Sequence, residues 1–337
     1  MSIHSEYDIP NESGKTRLML ACVDGLIDMC YMLIQNGSNV NAKTKGANRT
    51  PLMYAAAGDY PEICNLLIKN GADIHAKDKN NANALIIAAI HNNIDIVKLL
   101  VLKGIDINET NVDGHSALTE AACYGHKDIC EFLLEMGASP FILAENKDSA
   151  LIIASKIETE YGLDICNLLI KYGAHINHQN KYGMTALMYA CESGIVDYVK
   201  FLINNGANIH KQDNEGCNAL FYAIEIDSYE CASELLQNGI SVHIKHDTGT
   251  TAFDYAVLMR RRMLCDLLIQ YGADCTIDDE NYKKIQTYGW TDVVESIAIK
   301  THKRNISRCK MIKEDLMAYV WNPERDYTKW SLLSDLD

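Results

Sequence analysis

Thr185-Ala186-Leu187-Met188-Tyr189-Ala190, then Gly194, then Val199-Lys200-Phe201-Leu202-Ile203 and Asn205-Gly206-Ala207-Asn208 make up a pattern that the chain writes eight times. Its closing glycine recurs as Gly37, Gly71, Gly104, Gly137, Gly173, Gly206, Gly239 and Gly272, at spacings of 34, 33, 33, 36, 33, 33 and 33 residues. A fixed period of this length predicts stacked supersecondary units rather than one closed core.

Each unit opens on a Thr, Ser or Asn followed by an apolar stretch. Examples are Thr16-Arg17-Leu18-Met19-Leu20-Ala21, Thr50-Pro51-Leu52-Met53-Tyr54-Ala55, Asn83-Ala84-Leu85-Ile86-Ile87-Ala88 and Ser116-Ala117-Leu118-Thr119-Glu120-Ala121. The oxygen-bearing side chain accepts from free backbone N–H groups, so a short helix starts there. A second helix follows, as in Ile63-Cys64-Asn65-Leu66-Leu67-Ile68, and the unit-end glycine stops it in the left-handed conformation. Neither helix can bury its apolar face alone, so the units must stack.

Period 33, Thr50-Pro51-Leu52-Met53-Tyr54-Ala55 and Asn70-Gly71-Ala72-Asp73-Ile74-His75 resemble the ankyrin repeat. The resemblance covers roughly residues 14 to 300. It implies an all-α solenoid of paired antiparallel helices with β-turn fingers between units, and a concave face of fingers and first helices. The expected organisation is a lead-in over 1–13, eight repeats over 14–276, a capping half-repeat over 277–300 and a basic and aromatic appendage over 301–337.

Composition narrows the function. Lys+Arg 31 against Asp+Glu 45 gives a net charge of −14, which argues against a binder of phosphate backbones. The N-terminus has no basic stretch followed by an apolar run, and no window reaches 18 uninterrupted apolar residues, so neither a secretory signal nor a membrane span is expected. Of the twelve cysteines, Cys30, Cys64, Cys130, Cys166 and Cys265 share one repeat position with Val97, Val199 and Ala232; they read as small buried hydrophobes in a reducing, intracellular compartment. No cysteine spacing suits a metal site. Gly14-Lys15-Thr16 looks like the end of a phosphate loop, but the glycine required five residues earlier is Ile9. His75, His210 and His243 share a repeat position with Asn41, Asn108 and Asn177, which explains them better than catalysis does. Neither catalytic residues nor a cofactor nor a metal is expected, and the chain reads as a monomer.

Three departures stand out. The fifth unit carries three extra residues within Lys156 to Tyr161, between its helices, and Pro140-Phe141 replaces a polar pair before its finger. Glu234 falls where other units carry Leu66, Leu99, Phe132, Leu168, Phe201 and Leu267, so it is exposed or partnered; exposure is the expectation. Six basic residues from Lys300 to Lys313 form a solvated helix face or a docking patch for an acidic surface. The aromatic tail from Tyr319 to Trp330 either packs on the last unit or is a short binding motif. Its Asn322-Pro323-Glu324-Arg325 core is faintly similar to tails of large DNA virus proteins, and nothing in it resembles the F-box-like tail of poxviral ankyrin proteins.

Two steps after the opening Leu stand Leu20, Tyr54, Ile87, Glu120, Ile153, Tyr189, Tyr222 and Tyr255. The resemblance places this position on the concave face. Tyr189, Tyr222 and Tyr255 then form a ladder of binding residues or pack between first helices. Glu192, Glu225, Ile226, Leu258 and Met259 are expected beside them, with Lys181, Tyr182, Asp213, Asn214, Asp247 and Thr248 at the fingertips. The expected function is a non-enzymatic protein-interaction scaffold binding a protein partner on repeats six to eight. The alternative is a two-ended adaptor, viral or from an intracellular pathogen, whose tail recruits a second protein such as ubiquitin-ligase machinery. A further alternative follows from the resemblance: an asparaginyl hydroxylase acts on ankyrin repeats at an Asn eight residues after a Leu, which points to Asn41, Asn108 and Asn177 after Leu33, Leu100 and Leu169.

Overall fold

The structure is a computed structural model that describes residues 9–156 and 161–273, together with 284, 285, 287–290 and 293. Sixteen helices fall into eight pairs among the described residues. The pairs are α1 (Arg17–Val23) with α2 (Ile27–Gln35), α3 (Pro51–Ala57) with α4 (Pro61–Lys69), α5 (Ala84–Ile90) with α6 (Ile94–Leu102), and α7 (Ala117–Cys123) with α8 (Lys127–Glu135). Then come α9 (Ala150–Ser155) with α10 (Gly162–Lys171), α11 (Ala186–Glu192) with α12 (Val196–Asn204), α13 (Ala219–Glu225) with α14 (Tyr229–Gln237), and α15 (Ala252–Leu258) with α16 (Arg262–Gln270). No strand forms among the described residues, only three isolated bridges.

The chain makes two compact units, one up to Ile240 holding α1–α14 and one from Ser241 onward holding α15 and α16. In the first, each helix pair packs on the next, first helix on first helix and second on second.

Every first helix starts as its residue types dictate. Thr185 sits in extended backbone and its hydroxyl accepts from the Met188 N–H, while the Met188 sulfur accepts from the Thr185 N–H at 3.4 Å. The same reciprocal cap forms at Thr16 with Met19 and at Thr50 with Met53. Asn83, Ser116, Ser149, Asn218 and Thr251 cap the other first helices. At seven residues such helices are too short to stand alone, and packing holds them. The second helices end as the glycines require. Gly206 has φ +92°, its N–H bonds the Ile203 carbonyl, and the Ala207 N–H bonds the Leu202 carbonyl, which satisfies the last carbonyls of α12.

Cys30, Cys64, Cys130 and Cys166 are fully buried and unbonded to one another, and burial pushes the Cys64 and Cys166 thiols up to about 12. All ten cysteines among the described residues are free thiols.

The fingers of the first unit are joined by backbone bonds: Lys79 N–H to Ala47 O, Val112 to Asn80, Glu145 to Asp113, Lys181 to Asn146 and Asn214 to Tyr182. This ladder demands close approach. A Cβ on Gly183, at φ +80°, would lie 2.7 Å from the Asn214 nitrogen. Lys147 holds the equivalent finger position with φ +59°, a conformation that costs a non-glycine residue about 1–2 kcal/mol.

Corrections to the sequence reading are local. Glu234 is half-buried rather than freely exposed, and its carboxylate accepts from the Asn238 side chain at 2.9 Å, so it lies along its own helix. Asp213 stands at a finger base, not a fingertip, because its carboxylate closes the finger turn. The extra residues of the fifth unit fall between α9 and α10, and residues 157–160 of that stretch lie outside the described residues. So does most of 277–300, where Ile285 and Val293 are buried and the Tyr288 ring lies tilted against Trp290, and so do all of 301–337, with the basic run and aromatic tail.

Gly183→Ala is expected to destabilise the protein by about 1–3 kcal/mol, whereas Lys147→Gly should be neutral or stabilising by up to about 1 kcal/mol. Urea denaturation followed by circular dichroism separates the two; equal effects would contradict the finger packing.

Candidate functional site

The tyrosine position does face the fingers in the first compact unit, and the fingers hold it. Asn or Asp recurs at five finger bases, as Asn11, Asp78, Asn111, Asn180 and Asp213. Its Oδ1 accepts from the backbone N–H groups two and four residues on, as Asn180 does from Tyr182 and Met184 at 2.9 and 3.0 Å, and Asp213 from Glu215 and Cys217 at 2.8 and 2.9 Å. The other side-chain atom reaches the first helix nine residues later. Asn111 Nδ2 donates to Glu120 Oε1 at 3.1 Å, Asn180 Nδ2 donates to the Tyr189 hydroxyl at 3.1 Å, and the Tyr222 hydroxyl donates to Asp213 Oδ2.

Tyr189 and Tyr222 are therefore half-buried, with their polar tips engaged inside the fold. Burial and the bond to Asp213 push the Tyr222 phenol well above its ordinary value. Tyr255 is half-buried on α15, and Met259 caps that helix, both in the second compact unit.

Lys156, at the point where the fifth unit departs from the repeat, is the centre of a polar cluster that sequence reasoning missed. Its ammonium donates to Asp148 Oδ2 at 2.8 Å and lies 4.1 Å from the centre of the Tyr189 ring. Asp148 Oδ1 accepts from Asn180 Nδ2 at 2.7 Å, which ties the fifth finger to the sixth. Burial works against the Lys156 charge, but Asp148 and Tyr189 outweigh it and the ammonium's pKa is raised. The signal for the cluster was present in the finger-base series of Asn and Asp and in the Lys at the insertion, but the partners come together only on stacking.

Glu192 and Glu225 end α11 and α13 and are exposed. Partial burial, then the charge of Glu225, raise the Glu192 carboxyl, and Lys156 offsets this in part. Tyr182 projects at a fingertip with 49% of its surface exposed, beneath the Lys181 ammonium. Glu120 is buried and its carboxyl is raised by burial, against the pull of His115 and the Asn111 bond. Phe141 is exposed and packs on the His175 ring at 4.9 Å between centres, while Pro140 is buried.

The three asparagines sit elsewhere and bridge units. Asn41 accepts from the Asp73 N–H at 2.7 Å and donates to the Gly71 carbonyl at 2.9 Å; Asn177 does the same with Asn208 and Gly206, and Asn108 accepts from Ser139. No group of His, Cys, Asp and Glu among the described residues could hold a metal ion.

A family model described as ankyrin repeats in three copies matches residues 2–78, 52–144, 139–213 and 205–279. The chain belongs to the ankyrin repeat family. No curated protein matches it individually. Ankyrin repeats are generally protein-interaction modules and non-enzymatic scaffolds, and the fold here is their all-α solenoid of helix pairs. In this ankyrin chain no helix among the described residues is long and apolar enough to cross a membrane.

A carboxyl raised in the folded state, as Glu120 is, costs stability while it is ionised in both states, and the cost fades as pH falls through its raised value. Glu120→Gln, which keeps an acceptor for Asn111, is expected to raise the melting temperature at pH 7. The gain should close as the pH falls past the ordinary value of 4.5, and a pH-independent difference in calorimetry would contradict it.

Proposed function

We propose that the protein is a non-enzymatic interaction module that binds a protein partner across the fingers and first helices of repeats six and seven, with Lys156 at the edge. The observation that carries this reading is the pair Glu192 and Glu225 at the ends of neighbouring first helices, in the same two repeats as the exposed fingertip ring of Tyr182. Two like charges share one face, and the raised Glu192 carboxyl is a measure of their mutual repulsion as well as of burial. A Lys or Arg from a partner relieves that repulsion, and Tyr182 offers a rigid ring at small entropic cost. Free thiols throughout the described residues support a reducing, intracellular setting.

The hydroxyls of Tyr189 and Tyr222 are committed to Asn180 and Asp213, so replacing those rings tests the fold as much as the function. The exposed positions are the cleaner probes. Tyr182→Ala/Glu192→Lys/Glu225→Lys is expected to lower partner recovery in quantitative affinity purification by at least about tenfold. Asp95→Lys/Glu131→Lys, on the exposed side of second helices, is the control that should retain it. Equal recovery by both variants would sink the reading.

A further inference from the structure

The first repeat ends the stack on an apolar face. Met29 is 46% exposed, whereas its counterparts Ile63, Ile96, Ile129, Ile165, Tyr198 and Cys231 are 0–3% exposed, each covered by the unit before it. Met32 is 60% exposed and Leu26 46%. At the Leu26 position the third and fourth units carry polar groups that reach back, Asn93 to the Ala56 carbonyl at 2.7 Å and His126 to the Ile90 carbonyl at 3.1 Å. The first unit carries leucine there. Terminal repeats ordinarily turn a polar face outward; this one has the surface of an interior junction.

Arg17 identifies the occupant. It opens α1 at a position where interior units of the first compact unit have buried Pro51, Ala84, Ala117, Ala150, Ala186 and Ala219. It therefore stands on the end face, and it is exposed. Asp24, the exposed C-cap of the same helix, lies at the other end of α1, roughly 10 Å along its axis. When two α1 helices meet antiparallel across a two-fold axis near Leu20, Arg17 of each copy faces Asp24 of the other, and Leu26, Met29 and Met32 of the two copies cover one another. The face is complementary in charge to itself, which is what an isologous contact requires.

We propose that this end face is the docking surface for a second copy of the chain, and that the protein is a two-fold dimer joined through its first repeats. The proposal departs from the monomer expected from the sequence and leaves the proposed partner face of repeats six and seven available on each copy.

Sedimentation velocity on the full chain from about 1 to 100 µM is expected to show monomer passing to dimer. Met29→Glu/Met32→Glu should weaken association by at least about tenfold. Its urea midpoint should not change, because both side chains face solvent in the single chain. Arg17→Asp should weaken it as well, and the swap Arg17→Asp/Asp24→Arg should restore it to within about twofold. A wild-type chain that stays monomeric throughout overturns the proposal, as does a dimer indifferent to the methionine variant or a charge swap that fails to restore association. If deletion of residues 1–8 turns a monomeric wild type into a dimer, the lead-in is the occupant and the proposal is equally overturned.

Discussion

A helix of seven residues cannot hold itself in water, and everything in this chain follows from how its first helices are kept. The cap at each N-terminus removes the cost of two orphan N–H groups, but the larger contribution comes from alanine. Ala186 and Ala190 of α11 are 1% and 0% exposed, and their counterparts behave alike except for exposed Arg17 of the first unit, because only small side chains let first helices approach closely enough for Leu187 and Met188 to be enclosed. Stability is thus a sum over junctions, and each junction uses nearly all the apolar surface its two units offer.

Polar groups had to be reconciled with that packing. Finger-base Asn and Asp residues solve the problem twice over, closing the turn with one oxygen and engaging the first helix with the other atom. Their consequence for function is direct: the tyrosine hydroxyls, which would otherwise greet a partner, are already bonded. In the proposed binding mode, contact falls instead to side chains further along the same helices, Glu192 and Glu225, and to the fingertip ring of Tyr182.

Much of the architecture was legible from the chain because the repeat states it eight times: the caps, the left-handed glycines, the buried cysteines and the helix pairing all sit where the period puts them. What was not legible depends on contacts between units. The distance from Asp148 to Asn180 is 32 residues in sequence and 2.7 Å in space, and nothing in either local stretch announces the other. Glu234 shows the same limit on a smaller scale, since its partner Asn238 is one helical turn away and could have been found by counting four.

Stacking of equivalent units also explains where information about partners must lie. A position fixed by the junction, such as Leu187 or Val199, carries the same residue class whatever the partner is, so information about a partner is left to positions the junction does not fix and to breaks in phase. The fifth unit is the largest such break. Its α9 stops one residue early at Ser155, so Lys156 is the C-cap at the position where α11 and α13 end on Glu192 and Glu225, and the ammonium has two neighbours within reach, Asp148 and the ring of Tyr189. Lys156 thereby places a cation near Glu192, whose raised carboxyl it offsets in part. On the proposed partner face, the sign of charge at the end of the first helix changes from Lys156 to Glu192 and Glu225, an alternation that a uniform repeat would not supply.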